Sequence, residues 1–148
     1  MGRSFEDVEV GEAFSHSVTI TETHVVLAAG LFGDFAPLHV DAEFASKSRF
    51  GQRLAHGTLV VGIAASGLVK HFGEYAAGYL EQNLRFVAPV YIGDTVASRW
   101  QVVEKAPKEK LGGGIVEVAL QCTTQRGDLA IEGASKLIIA NAGANATG

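Results

Sequence analysis

The stretch from His56 to His71 constrains the fold more than any other part of the chain. Written on a helix, Leu59, Val60, Val61, Ile63, Ala64, Ala65, Leu68 and Val69 cover nearly every side. Only Thr58, Ser66 and Lys70 interrupt them. A helix with no polar face belongs inside a protein rather than on its surface. This one is too short and too rich in Gly and Ala to span a bilayer. Its small residues, Gly62, Ala64, Ala65 and Gly67, would let a sheet pack closely around it.

The material for that sheet follows directly. After residue 77 the apolar period becomes two, through Leu80, Leu84, Phe86 and Val90, into Pro89-Val-Tyr-Ile-Gly-Asp94. Thr95–Glu104 forms a second run, Gly114–Gln125 a third with Val116, Val118, Leu120 and Cys122 on one face, and Leu129–Ala140 a fourth. The connectors Ile92-Gly-Asp94, Pro107–Gly114 and Arg126-Gly-Asp128 carry hairpin chemistry. A first strand near residue 18 would close the set, making an α+β arrangement in which an antiparallel sheet wraps a helix.

Ahead of the buried helix, Thr21 is suited to cap a helix over Glu22–Phe32, with Glu22 in the first turn and Gly33 at the end. Residues 33–55 read as a long irregular segment. Pro37 holds Ala36 extended, and Asp41 is placed to cap a turn or two before Arg49. An irregular segment of this length in a compact domain usually carries function.

At 148 residues the chain fits one domain, with a core over about residues 5–140 and a loose tail over 141–148. The sequon Asn145-Ala-Thr147 in that tail has no meaning in a cytoplasmic protein. A net charge of −4 without a clustered Lys/Arg face argues against nucleic acid. Cys122 is the only cysteine, so no internal disulfide can form, and Met-Gly-Arg-Ser-Phe-Glu-Asp lacks the apolar stretch of a signal peptide. A soluble cytoplasmic protein that binds neither nucleic acid nor membrane is the expectation.

The residues that bear on chemistry lie in the irregular segment and at the helix mouth. Asp34 and His39 are separated by Pro37 and share no helix face, but a bent loop can bring them together. A carboxylate beside an imidazole handles protons: the first can deprotonate water, and the second can orient that water or pass a proton. Taken alone, the pair reads equally as a turn Asp and a surface His. At the helix mouth, His56-Gly57 offers free backbone N–H donors and the positive end of a helix to developing negative charge. Alone, that Gly reads as a packing residue and His56 as a buried polar group. No metal is expected, since His39 and Asp41 have no second histidine of suitable spacing and Cys122 is isolated. His16, His24 and His71 read as surface or capping residues, and Arg85 and Arg99 as salt-bridge partners or anion contacts.

Together these segments resemble the MaoC-like, R-specific enoyl-CoA hydratases. Gly33-Asp-Phe-Ala-Pro-Leu-His39 is similar to the motif G-D-x-N-P-L-H, with Ala45 as the small residue that follows it. His56-Gly57 matches the H-G at the start of the central helix, and Phe86-Val-Ala-Pro-Val-Tyr-Ile-Gly-Asp-Thr95 the strand F-x-x-P-V-x-x-G-D-T. The resemblance implies a hot-dog fold and a homodimer, or a dimer of dimers, joined through sheet edges. It also implies syn addition of water to a trans-2-enoyl-CoA with no separate cofactor, since CoA is part of the substrate. Catalytic roles then fall on Asp34, His39 and Gly57, with Phe32, Phe50, Leu54, His56 and Tyr79 as substrate contacts. One position departs: the motif's Asn is Ala36, so any hydrogen bond from that side chain is absent. Two other readings stand beside this one. A hot-dog thioesterase would carry a carboxylate on or beside the central helix, and Thr58–Phe72 has none. A non-catalytic acyl-CoA binder, or partner subunit of a hydratase heterodimer, would have lost Asp34 or His39.

Overall fold

The structure, a computed structural model, describes residues 1–144. Its elements are β1 (Ala13–Thr19), α1 (Glu22–Phe32), α2 (Pro37–Val40), α3 (Ala42–Ser46), α4 (Gly57–Phe72), β2 (Ala76–Phe86), β3 (Thr95–Lys108), β4 (Gly113–Thr124) and β5 (Leu129–Ala140). The strands form one five-stranded antiparallel sheet in the order β1-β3-β4-β5-β2. This sheet curls on α4 as a hot-dog fold.

The core forms where helical and strand periods meet. Val60, Ala64, Leu68 and Phe72 recur every four residues down α4 and make one buried stripe. Against it lie Val96, Trp100 and Val102 of β3, Val116, Val118, Leu120 and Cys122 of β4, and Ile131 and Ile139 of β5. Burying each large apolar side chain contributes about 1.5–3 kcal/mol before the entropy of ordering it is counted. Trp100 is fully buried and donates its Nε1–H to the Ala64 carbonyl at 3.0 Å, joining β3 to the middle of α4.

The other side of α4 differs from the expected all-round burial. Thr58, Gly62 and Val69 are exposed, so of the small residues Ala64 and Gly67 are buried and Ala65 partly so, while Gly62 is not. The expected hairpin at Ile92-Gly-Asp94 is also corrected. β2 pairs with β5, not with its neighbour in sequence, while β3–β4 and β4–β5 are true hairpins. Residues 87–94 instead cross the mouth of α4: Ala55 N–H donates to the Val90 carbonyl and Gly93 N–H to that of Ile20. The first residues of the expected tail are tied to the fold. Asn141 N–H donates to the Gly112 carbonyl and Ala142 N–H to Glu6, while residues 145–148, with the sequon, lie outside the described residues.

Asp94 fastens this crossing. Its carboxylate accepts from the Tyr91 amide, from Gln125, and twice from Arg126 at 2.7 and 3.0 Å. Burial pushes the carboxyl pKa up, but Arg126, Tyr91 and Gln125 outweigh it and hold the pKa at about 2. A depressed acid stabilises the fold at any pH above its unfolded value and loses that contribution as pH falls through its folded value. Asp94→Asn is expected to lower unfolding free energy by about 2 kcal/mol between pH 5 and 8. In urea titrations the gap to wild type should close as pH approaches about 2. A gap undiminished there would place the effect elsewhere.

Candidate active site

The site begins where α1 stops. Thr21 caps the helix through a reciprocal pair of bonds with His24. At the other end Gly33 takes a left-handed conformation, φ 70°, which an L side chain rarely adopts. The chain turns sharply there and Asp34 emerges beside the mouth of α4. Asp34 Oδ1 accepts the Ala36 N–H at 3.2 Å. That bond uses only backbone, so Ala36 supplies it despite lacking the motif's amide side chain. Pro37 then starts α2, a single turn that presents His39.

His39 is held from several sides. Its Nδ1–H donates to the Leu54 carbonyl at 2.9 Å, which leaves a lone pair on Nε2. Its own carbonyl accepts from Arg53 Nε at 2.6 Å, and the Arg53 guanidinium also grips Glu22 of α1. His39 Nε2 lies 3.8 Å from Asp34 Oδ2, too far for a direct hydrogen bond. Both atoms are acceptors, so a single water between them can donate to each.

His56 supports both partners from behind. It is 1% exposed, donates Nε2–H to the Asp34 carbonyl at 3.0 Å, and stacks on His39 with ring centroids 4.0 Å apart. This overturns the expectation that no second histidine lies near His39. Ligand atoms of Asp34, His39 and His56 come within 4.8 Å of one another. The rings, however, are only 27° from parallel. Stacked imidazoles aim their in-plane lone pairs side by side, which suits a shared metal ion about 2.1 Å from each nitrogen poorly.

A cavity of about 420 Å³ opens here, lined by His39, Arg49, Phe50, Leu54, Gly57 and Val60, with Phe86–Val90 and Ile131 opposite. Gly57 is the first residue of α4, and the first N–H groups of a helix have no partner within it. A Cβ at this position would lie 2.7 Å from the Phe86 ring, so only glycine keeps the wall this close.

The expected site residues thus divide. His39, Phe50, Leu54 and Gly57 line one cavity, with Asp34 beside His39 and His56 outside the wall. Phe32 and Tyr79 line other cavities, although the Phe32 ring lies edge-on to His56 at 6.2 Å. Phe32, at the end of α1, faces a separate cavity with Leu59 and Ile63. Tyr79 lies on β2 in another, its hydroxyl donating to Ser135 Oγ at 3.1 Å. Phe86 and Pro89 of the wall were visible in the strand motif, whereas Arg49 carried no sequence signal. Arg85 is paired with Glu132, and Arg99 is exposed on β3. His71 is not a surface residue: it stacks on Phe14 at 3.7 Å and bonds Glu12.

A curled sheet on a buried helix thus holds a carboxylate–imidazole pair beside an apolar cleft, an arrangement suited to moving protons on a bound apolar substrate. Residues 6–123 match the model of the MaoC like domain. The chain is 36% identical to an (R)-specific enoyl-CoA hydratase of Rhodospirillum rubrum over 135 residues, 91% of this chain and 90% of that one. It is 36% identical to a 3-hydroxybutyryl-CoA dehydratase of Methylorubrum extorquens over 124 residues, 84% of this chain and 75% of that one. Its fold superposes on the unliganded R-hydratase PhaJ1 of Pseudomonas aeruginosa with a TM-score of 0.86 at 28% identity, covering 95% and 88% of the two chains. The chain belongs to the MaoC-like dehydratase family.

Proposed function

We propose that the protein adds water syn across the double bond of a trans-2-enoyl-CoA thioester, giving the (3R)-hydroxyacyl-CoA, and catalyses the reverse dehydration. The observation that carries this is the 3.8 Å gap between two acceptor atoms, Asp34 Oδ2 and His39 Nε2, at an apolar cleft. Water held in the gap gives one proton to Asp34 as its oxygen attacks C3, while His39 holds the other O–H. Electrons move onto the thioester oxygen, where the Gly57 N–H and the positive end of α4 stabilise the charge. The proton taken by Asp34 is returned to C2. Both additions come from one face of the substrate, hence the syn outcome. The C3–O and C2–H bonds form at the expense of the C2=C3 π bond and a water O–H bond with no net redox change, so the reaction as written calls on no metal or separate cofactor. The test is to follow the enone absorbance of crotonyl-CoA with purified protein. Its loss, with (3R)-hydroxybutyryl-CoA as product, is expected. Release of free thiol with the enone intact would make the protein a thioesterase, and no reaction on any enoyl thioester would make it a binder.

We infer that the working form is a dimer joined along β2. Several features support this: β2 ends the sheet with its outer edge unpaired, Leu80 and Phe86 are exposed, and α1 presents Val26, Leu27 and Leu31 to solvent. A long unpaired edge and exposed apolar side chains of this kind are normally covered. A light-scattering mass of two chains or a multiple of two is expected, and a single-chain mass would refute the reading. The compartment we read as cytoplasmic, supported by a lone thiol, Cys122, that is buried in the core.

A further inference from the structure

Among the described residues, Arg49 is the only permanently charged one on the wall of the active-site cavity. Its guanidinium lies over the Phe50 ring, 4.7 Å from the centroid, which holds a long side chain in one place. Arg3, Arg53, Arg85 and Arg126 each face a carboxylate; Arg49 and Arg99 have none within salt-bridge distance among the described residues, and of these two only Arg49 lines the cavity. A cation at the edge of an otherwise apolar cleft, positioned and unpaired, is an anion receptor waiting for a ligand.

Two kinds of anion could arrive on a thioester: a phosphate of the carrier arm, or a carboxylate at the far end of the acyl group. Position decides between them. Arg49 is exposed, so it stands at the rim, whereas Leu54, Val60, Val90 and Ile131 make the deeper wall apolar. A remote carboxylate would have to enter that apolar depth, at a high desolvation cost. Phosphates stay in water just outside it. We propose that Arg49 binds a phosphate of the pantetheine-bearing arm, and so fixes the thioester over Asp34, His39 and Gly57. The proposal rests on the hydratase reading.

The test compares wild type with Arg49→Gln on crotonyl-CoA, crotonyl-4′-phosphopantetheine and crotonyl-pantetheine. Loss of one charge-assisted contact at the rim should raise KM for crotonyl-CoA roughly tenfold, with kcat held. KM for crotonyl-pantetheine, which has no phosphate, should not move. An effect on the phosphopantetheine thioester assigns the contact to the phosphate next to the pantetheine, and an effect on the CoA thioester alone to the nucleotide phosphates. Equal rises on all three would make Arg49 a packing residue and overturn the proposal. So would an effect confined to a thioester carrying a remote carboxylate, such as the fumaryl derivative of pantetheine. If wild type hydrates none of these, the hydratase reading fails by itself. Calorimetric affinity for CoA, wild type against Arg49→Gln, then still decides the role of Arg49.

Discussion

Asp34→Asn is expected to lower kcat on crotonyl-CoA by about 10²-fold or more, the usual worth of a general base, with little change in KM. The substitution is nearly isosteric. Its amide oxygen can still accept the Ala36 N–H, and the backbone carbonyl bonded to His56 is untouched. Loop geometry should therefore survive, and thermal unfolding should match wild type. What disappears is the capacity to take a proton from water. Undiminished turnover in this variant would sink the mechanism, because no other carboxylate stands across the gap from His39 among the described residues.

The second large effect is expected from His39→Ala. It removes the acceptor that holds the far O–H of the water, and it also removes a packed ring. The side chain is 16% exposed, stacks on His56 and bonds the Leu54 carbonyl. A fall in kcat of about 10²-fold or more should therefore come with a stability loss on the order of 1–2 kcal/mol. The double variant with Asp34→Asn should be scarcely worse than the worse single one, since two groups that act on one water fail together. Multiplied rate losses would show that they act in separate steps.

Much of this was legible because it is local. Thr21, Gly33 and Asp41 each mark a helix boundary through a hydrogen bond or dihedral made within a few residues. The strands from Thr95 to Ala140 follow from alternation, which the sheet's buried face enforces. What escaped is non-local. Ile92-Gly-Asp94 has the chemistry of a hairpin, yet β2 finds its partner in β5, some fifty residues on, where Phe86 opposes Ile131. His56 stacks on His39 across the irregular segment, a contact that no spacing rule predicts. Which cavity Phe32, Phe50, Leu54 and Tyr79 each face depends on the finished packing around α4. Arg49 carries no sequence signal for a related reason. An unpaired charge on a cavity wall is recognisable only once the cavity and the ion pairs around it exist.

The bond from His56 to the Asp34 carbonyl spans 22 positions of chain, and that from His39 to Leu54 spans 15. Neither can form inside an isolated segment. An intermediate with α1 and α4 already helical, but with these two closures still open, has every reactive group and no place for the water. Turnover therefore requires both closures, so the rate at which activity returns during refolding is expected to follow tertiary closure and not helix formation.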